Sequence, residues 1–247
     1  MASNKSTILV DSYRKSAASS GGENSYKGLR IHALPGLHDF IAKLAKEYLR
    51  PGAVLLDLAA GTGAMSLRMQ DLGFNVHATD YVPENFKLPA VPFAQADLNE
   101  KFSSAYVVRF DAIIASEIIE HLENPRHFAR ECYTLLEPGG RIVLSTPNIE
   151  ASGSIASFLR SGCFAWFSDD DYVSQGHITP LSQWQLEKVF AEAGFKFIWK
   201  GSFGDGLRTT AGSPRLRLLA KALSIFSKKE SRLRGEIFVC VLEKSDA

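Results

Sequence analysis

A short apolar run that leads directly into a glycine turn and a helix constrains this chain more than any other feature. The run covers 53–58, "AVLLDL", and "AAGTGAMSLRMQDLG" follows it over 59–73. A nearly continuous apolar strand is typical of a parallel sheet, because both faces of such a strand are covered by helices. The segment therefore predicts a strand, a loop and a helix in succession.

The same alternation continues along the chain. The predicted strands cover 53–58, 75–80, 91–98, 109–116, 141–148, 196–203 and 236–244. The other predicted helices cover 36–50, the segment between the cap residues Asn124-Pro125 and "PGG" at 138–140, and 182–195. This order predicts an α/β fold: a doubly wound, mostly parallel seven-stranded sheet with helices on both faces, a Rossmann-like architecture.

Composition restricts the domain organisation and the class of partner. The chain has 247 residues, 45% of them hydrophobic, and its 28 basic and 27 acidic residues leave a net charge of +1, which disfavours nucleic acid as a partner. We expect a flexible lead-in at 1–28 and one domain over 29–247. Three scattered cysteines and the absence of a signal peptide or apolar span in the sequence favour a soluble, cytoplasmic protein.

The glycine turn predicts a nucleoside site. In an open parallel sheet the ligand crevice lies beyond the carboxyl ends of the strands. Gly61 and Gly63 allow close backbone approach there, and Asp80 ends the next strand, where a carboxylate accepts hydrogen bonds from ribose hydroxyls. An NAD(P)-binding oxidoreductase is the alternative, although Ser66 stands where the third glycine of its motif would fall. A catalytically silent nucleoside-binding protein is another.

The combination of "LLDLAAGTGAMS", "ATD", "QADL", "FDAIIASEIIEHLENP" and "LLEPGGRIVLSTPN" resembles the class I S-adenosylmethionine-dependent methyltransferases. Its closest similarity in motif is to the ubiquinone-pathway O-methyltransferase-like group. The order and spacing match across about 53–148, and the wider resemblance covers roughly 30–200. It implies S-adenosyl-L-methionine as cofactor and in-line methyl transfer to a small-molecule acceptor, with a hydroxyl oxygen as the favoured atom.

The resemblance also implies a set of cofactor residues. They are Asp57, Ala59, Gly61, Gly63, Asp80, Tyr81, Asp97, Leu98 and Ser116. Asp80 is expected at the ribose, Asp97 and Leu98 at the adenine, and Ser116 near the sulfonium, while the glycines face the methionine portion. Ala59 departs from the family pattern, since many members have the first glycine of the loop at this position.

The run "SEIIEHLENP" over 116–125 predicts a second set of residues. Within one helical turn, Glu117, Glu120 and His121 would share a face. Similar runs in ubiquinone-pathway O-methyltransferases and small-RNA 3′-end methyltransferases supply metal ligands, and His177 occupies a place comparable to a further ligand of the latter. The implied metal site is Glu117, Glu120, His121 and His177, holding Mg²⁺, Mn²⁺ or Zn²⁺.

Without a metal, the expected catalytic residues are His121, Glu117 and His177, with a histidine as general base. The alternative is that the glutamates and His121 only cap the following helix and line the cofactor pocket. The sequence leaves these alternatives open.

Two insertions complete the sequence-based expectations. The segment 149–182 groups Phe158, Phe164, Trp166, Phe167 and Tyr172 beside three aspartates, which favours a lid over the acceptor. The segment 207–235 contains a basic amphipathic stretch at 213–235 that suits a membrane surface or a lipid-linked substrate. The alternatives are ordinary core aromatics and a helix with a solvated basic edge. The sequence does not predict an oligomeric state.

Overall fold

The computed structural model describes residues 24–227 and 230–245. Most of the predicted lead-in at 1–28 lies outside them, as do Lys228 and Lys229. The helices are α1 (Leu37–Tyr48), α2 (Ala64–Asp71), α3 (Pro125–Leu135), α4 (Ser152–Ser161), α5 (Asp169–Gln175), α6 (Gln183–Glu192) and α7 (Pro214–Phe226). The strands are β1 (Ser25–Tyr26), β2 (Leu29–Arg30), β3 (Val54–Leu58), β4 (Asn75–Asp80), β5 (Phe93–Gln95), β6 (Phe110–Ser116), β7 (Leu136–Pro147), β8 (Phe195–Phe203) and β9 (Ile237–Lys244).

A seven-stranded sheet with the order β5-β4-β3-β6-β7-β9-β8 forms the centre of the fold. Strands β3 to β7 are parallel to their neighbours, whereas β9 runs antiparallel to both β7 and β8. The predicted fold class is confirmed. The chain winds outward in one direction from β3 and in the other from β6, so the switch point where ligands bind lies between these two strands.

Two hydrophobic cores cover the faces of the sheet. On one face, Phe128 of α3 and Phe190 of α6 pack against the strands. On the other face, Ile41 of α1 and Met65 and Met69 of α2 do the same. Because both faces are covered, the strands can be apolar on both sides, as the run at 53–58 predicted.

Two strands differ from their predicted bounds. Strand β5 covers only Phe93–Gln95 of the predicted 91–98. Strand β7 already begins at Leu136 and includes the Pro-Gly-Gly segment that was expected to separate helix from strand. A register shift in the pairing of β6 with β7, between Phe110 and Ala112, accommodates these extra residues.

Both insertions contain helices. Helices α4 and α5 lie in 149–182, and Ser168 closes a capping box with Asp171 at the start of α5. The three aspartates of "DDD" occupy the first turn of that helix, where negative charge is stabilised by the helix dipole. Helix α7 lies in the basic stretch. In the ranges that the structure describes, no helix has the length and apolar character needed to cross a bilayer.

Candidate functional site

The glycine turn after β3 is held by Asp80, the last residue of β4. The Gly61 N–H donates to Asp80 Oδ2 at 2.8 Å, and the Val82 N–H donates to Asp80 Oδ1 at 2.9 Å. Asp80 is buried, and this burial raises the pKa of its carboxyl group. The bond from Gly61 fixes the turn against the end of the neighbouring strand, and the bond from Val82 holds the other carboxylate oxygen within its own loop.

Asp57 ties the end of β3 to the first turn of α2. Its Oδ2 accepts a hydrogen bond of 2.6 Å from Ser66 Oγ. Full burial raises the pKa of Asp57 to about 7, and the hydrogen bond from Ser66 opposes this change. This contact joins the strand before the glycine turn to the helix after it, and a role of Asp57 at the cofactor stays a prediction.

The three small residues of the turn have different surroundings. Ala59, Gly61 and Gly63 all have left-handed backbones, with φ of 59°, 54° and 91°. A Cβ at Gly63 would lie 2.9 Å from the Leu88 side chain, whereas a Cβ at Gly61 would meet no heavy atom within 4 Å. The Cβ position of Gly61 is thus open space, whereas that of Gly63 is occupied by the Leu88 side chain.

The remaining predicted cofactor residues lie around this turn in varied settings. Tyr81 is exposed next to Asp80, and Asp97 accepts a hydrogen bond of 2.9 Å from the Asn99 N–H. The Leu98 side chain belongs to a hydrophobic core cluster. Ser116 Oγ, at the end of β6, lies 3.2 Å from Ser145 Oγ of β7. The roles assigned to them at a cofactor stay predictions.

A cavity of about 310 Å³ lies beside these strand ends. Its volume is at the lower end of the range for small-molecule sites. Its polar and charged lining residues come from β2, the segment after β6, α5 and the segment after α5. The lining residues are Arg30, Ile31, His32, Ala33, Leu34, Glu117, His121, Pro147, Trp166, Ser174, Gln175, His177 and Ile237.

Glu117 has a left-handed backbone conformation, with φ of 53°. Its Oε1 accepts a hydrogen bond of 2.8 Å from Ser145 Oγ, and its N–H donates to the Ser145 carbonyl oxygen at 3.1 Å. Burial raises the pKa of Glu117 to about 7. A non-glycine residue in this conformation is strained, and β7 holds it in place. Because its pKa is about 7, the Glu117 carboxyl group can take up or release a proton near neutral pH.

The expected single helical turn over 117–121 does not form. A 3₁₀ helix covers only Ile119–His121, and the left-handed backbone of Glu117 separates this residue from it. As a consequence, the structure groups Glu120, His121 and His177, whose possible ligand atoms all lie within 4.8 Å of one another. Glu117 is not in that group.

Glu120 is fully buried. Its Oε2 accepts a hydrogen bond of 2.9 Å from Thr146 Oγ1. Within the described ranges Oε1 has no hydrogen-bond partner, and His121 Nε2 lies 3.9 Å away from it. Burial, followed by the negative charge of Glu117, raises the pKa of Glu120 well above its usual value. An unsatisfied carboxylate oxygen in such a place is costly unless a proton or a cation joins it.

The two histidines are neutral at physiological pH. Burial lowers the pKa of His121 to about 3 and also lowers that of His177. The rings lie edge to face with centroids 4.8 Å apart. His177 Nδ1 lies 2.6 Å from the Trp166 carbonyl oxygen, which can accept a hydrogen bond only from a protonated Nδ1. His177 therefore keeps its lone pair on Nε2.

Several residues at this site, some lining the cavity and some bonded to its glutamates, were not predicted from the sequence. Arg30 and His32 belong to the segment before α1, and Ser145 and Thr146 anchor the two glutamates from β7. Ser145 and Thr146 end a predicted strand in "STPN", which was an available signal. Nothing comparable marks Arg30 or His32. Of the predicted lid aromatics, Trp166 lines the cavity, while Phe158 stacks on Phe164.

Comparisons with known proteins agree with this geometry. A family model described as a methyltransferase domain matches residues 29–199. The chain is 35% identical over 127 residues to a ubiquinone biosynthesis O-methyltransferase of Xanthomonas campestris pv. campestris strain B100, covering 48% of this chain and 52% of that protein. The chain thus spans about half the length of the curated relatives it matches.

Two solved structures share the fold at low sequence identity. A SAM dependent methyltransferase from Archaeoglobus fulgidus has a TM-score of 0.55 at 15% identity, over 84% of this chain and 94% of that one. The [4+2]-cyclase SpnF has a TM-score of 0.56 at 15% identity, over 97% and 94%. One of these two proteins is described as a cyclase, so the fold alone does not determine the reaction.

Proposed function

Because this chain belongs to the class I S-adenosylmethionine-dependent methyltransferases, we propose that it transfers a methyl group from S-adenosylmethionine to a hydroxyl oxygen of a small-molecule acceptor. One observation carries the proposal beyond the family. A buried carboxyl group with a pKa of about 7, that of Glu117, lines a cavity at the carboxyl ends of β6 and β7. The O-methyltransferase relatives support oxygen as the acceptor atom.

The cofactor half of the proposal assigns roles to the glycine turn and the strand ends. The open space at Gly61 admits the methionine portion of the cofactor. Asp80 binds the ribose hydroxyls when its oxygens, which accept hydrogen bonds from the backbone, become available. Asp97 and Leu98 bind the adenine, and Ser116 lies near the sulfonium. In the same proposal, 29–247 forms a single cytoplasmic domain, with 149–182 supplying residues to the acceptor cavity.

The acceptor half uses Glu117. The acceptor oxygen attacks the methyl carbon in line with the carbon–sulfur bond, which breaks as the new carbon–oxygen bond forms. The hydroxyl proton passes to the Glu117 carboxylate, which Ser145 orients through its 2.8 Å hydrogen bond. The products are a methyl ether and S-adenosylhomocysteine. His177, through Nε2, is the second candidate base.

The residues around Glu120 also fit a divalent cation. The unsatisfied Oε1 of buried Glu120 and the two neutral imidazoles of His121 and His177 form a mixed nitrogen and oxygen donor set. We propose that these three residues hold Mn²⁺, Zn²⁺ or Mg²⁺, with Glu117 as a further ligand only if its bond to Ser145 rearranges. Such an ion would lower the pKa of the acceptor hydroxyl.

An assay that measures formation of S-adenosylhomocysteine from S-adenosylmethionine tests the function. We expect turnover with catechols or lipid-linked phenols and none with the matching anilines. Calorimetry should detect binding of S-adenosylhomocysteine and no binding of NAD. Methylation of amines alone would contradict the oxygen specificity, and no turnover with any acceptor would favour a silent binding protein.

Chelation tests the metal separately. Protein shown to be metal-free by elemental analysis should lose turnover or acceptor affinity and recover it with added Mn²⁺, Zn²⁺ or Mg²⁺. If the metal-free protein is fully active, Glu120, His121 and His177 do not act through a cation, and the base mechanism stands alone.

A further inference from the structure

Helix α7 has two apolar faces, and among residues 24–227 and 230–245 only one of them is covered. Leu216 and Ala220 are buried, and together with Leu223 they pack against Ala156 of α4. The opposite side presents the outer stripe, which consists of Leu218, Ala222, Ile225 and Phe226. These residues stand at i, i+4, i+7 and i+8, the spacing of one continuous helical face.

The outer stripe is unusually exposed for large apolar side chains. Leu218 is 71% exposed, Ile225 is 81% exposed and Phe226 is 82% exposed. Single exposed apolar residues are common on protein surfaces, but an apolar row along one helix face indicates an interaction surface. Leu159 on the neighbouring helix α4 is also largely exposed.

The charges around the stripe identify its partner. Arg215, Arg217 and Lys221 are exposed on α7, and Arg160 is exposed on the packed helix α4. From 206 to 229 the sequence contains no acidic residue. A helix with an apolar face and basic flanks lies flat on a bilayer, with its apolar side chains between the acyl chains and its basic groups at the phosphates.

We propose that the outer stripe of α7 docks on a membrane surface that contains anionic phospholipid. The charge complementarity favours this partner over a second copy of the chain, because two copies would bring their basic flanks together. Docking of this kind needs no membrane-spanning helix. The proposal does not depend on methyl transfer, since vesicle binding is measured without turnover.

Vesicle flotation with the full chain tests the proposal. The wild type should float with vesicles of phosphatidylcholine and phosphatidylglycerol, bind those of phosphatidylcholine alone far more weakly, and dissociate as salt is added. Replacing two exposed apolar side chains, L218S/I225S, should weaken binding at least about tenfold. The charge reversal R217E/K221E should weaken it at least about 25-fold, since each of the two basic residues near such a surface contributes about fivefold.

A matched variant removes exposed apolar area elsewhere. Val107 and Trp184 are also exposed and lie outside α4 and α7, so V107S/W184S should float like the wild type. The proposal is overturned if folded wild type ignores anionic vesicles, or if L218S/I225S floats as well as V107S/W184S. It is also overturned if the wild type is a dimer that L218S/I225S converts to a monomer, because the stripe would then be covered by a second copy.

Discussion

The cofactor side and the acceptor side of the crevice satisfy their polar groups in different ways. On the cofactor side, both oxygens of Asp80 accept backbone hydrogen bonds, and Asp57 is bonded to Ser66. On the acceptor side, one oxygen of buried Glu120 has no hydrogen-bond partner within the described ranges, and Glu117 has a left-handed backbone. The first side has its polar groups satisfied and the second does not, a difference that suits their proposed roles as cofactor side and acceptor side.

The origin of the residues differs in the same way. Gly61 and Asp80 lie at the ends of adjacent parallel strands, so local motifs and strand order were enough to place them together. The acceptor side combines the segment after β6 with His177 and Trp166, which are distant in sequence. This contrast predicts that variants on the two sides will affect different measurements.

The largest expected effect is on turnover, from His177→Asn. Asparagine can still donate to the Trp166 carbonyl oxygen in place of Nδ1, but it lacks Nε2. We expect turnover to fall by about 10²- to 10⁴-fold, because the variant removes a ligand of the proposed cation, whose action on the acceptor hydroxyl is worth several kcal/mol, together with the second candidate base. Calorimetric affinity for S-adenosylhomocysteine should not change.

His127→Gln is the control for His177→Asn, because His127 Nε2 lies 2.7 Å from the Glu100 carbonyl oxygen and His127 is not among the residues that line the cavity. Equal losses of turnover in the two variants, or a parallel loss of cofactor affinity in H177N, would contradict the idea that His177 acts on turnover and not on cofactor binding.

The next effect is on the pH dependence of stability, from Asp57→Asn. The folded pKa of Asp57, about 7, lies above its unfolded value, so its favourable contribution is full below about pH 4 and is lost as the pH rises to about 7. The D57N variant has no carboxyl group at this position to ionise, so its stability does not fall in this way as the pH rises. The free energy of unfolding of D57N should therefore gain on that of the wild type across this window, by on the order of 4 kcal/mol.

Urea unfolding of the ligand-free protein at several pH values measures this difference. Glu84→Gln, an exchange of one exposed glutamate, controls for the loss of a charge. A difference between D57N and wild type that is constant from pH 4 to pH 7 would show that Asp57 is not held in a desolvated setting.

The smallest effect is on stability, from Ala59→Gly. Ala59 has φ of 59°, a conformation that strains alanine and not glycine. The exchange should stabilise the fold by about 1 kcal/mol. The adjacent Ala60 is outside the left-handed region, so Ala60→Gly should instead destabilise by about 0.5–1 kcal/mol. Unfolding midpoints that move in the same direction for both variants would contradict the strain at Ala59.

The sequence predicted the sheet well because the apolar runs and glycine turns are local signals. It did not predict the left-handed Glu117, because "SEIIEH" reads equally well as a helical turn and only the contacts with Ser145 on β7 decide between them. His177 was predicted only from a family resemblance, and Arg30 was not predicted at all. No local pattern in the sequence encodes which distant loops meet at a cavity. The two apolar faces of α7 were visible as one amphipathic stretch, but only packing shows which face is covered.

Binding of S-adenosylhomocysteine to Gly61→Ala tests the assignment of the crevice most directly. Gly61 and Gly52 are both left-handed with open space at the Cβ position, but Gly52 precedes β3 at the opposite end of that strand. Each exchange should cost about 1–2 kcal/mol of stability. By calorimetry, G61A should lose at least about tenfold in affinity for S-adenosylhomocysteine, which corresponds to about 1.4 kcal/mol of binding free energy. G52A should bind like the wild type. Wild-type affinity in G61A would contradict the placement of the cofactor over the glycine turn.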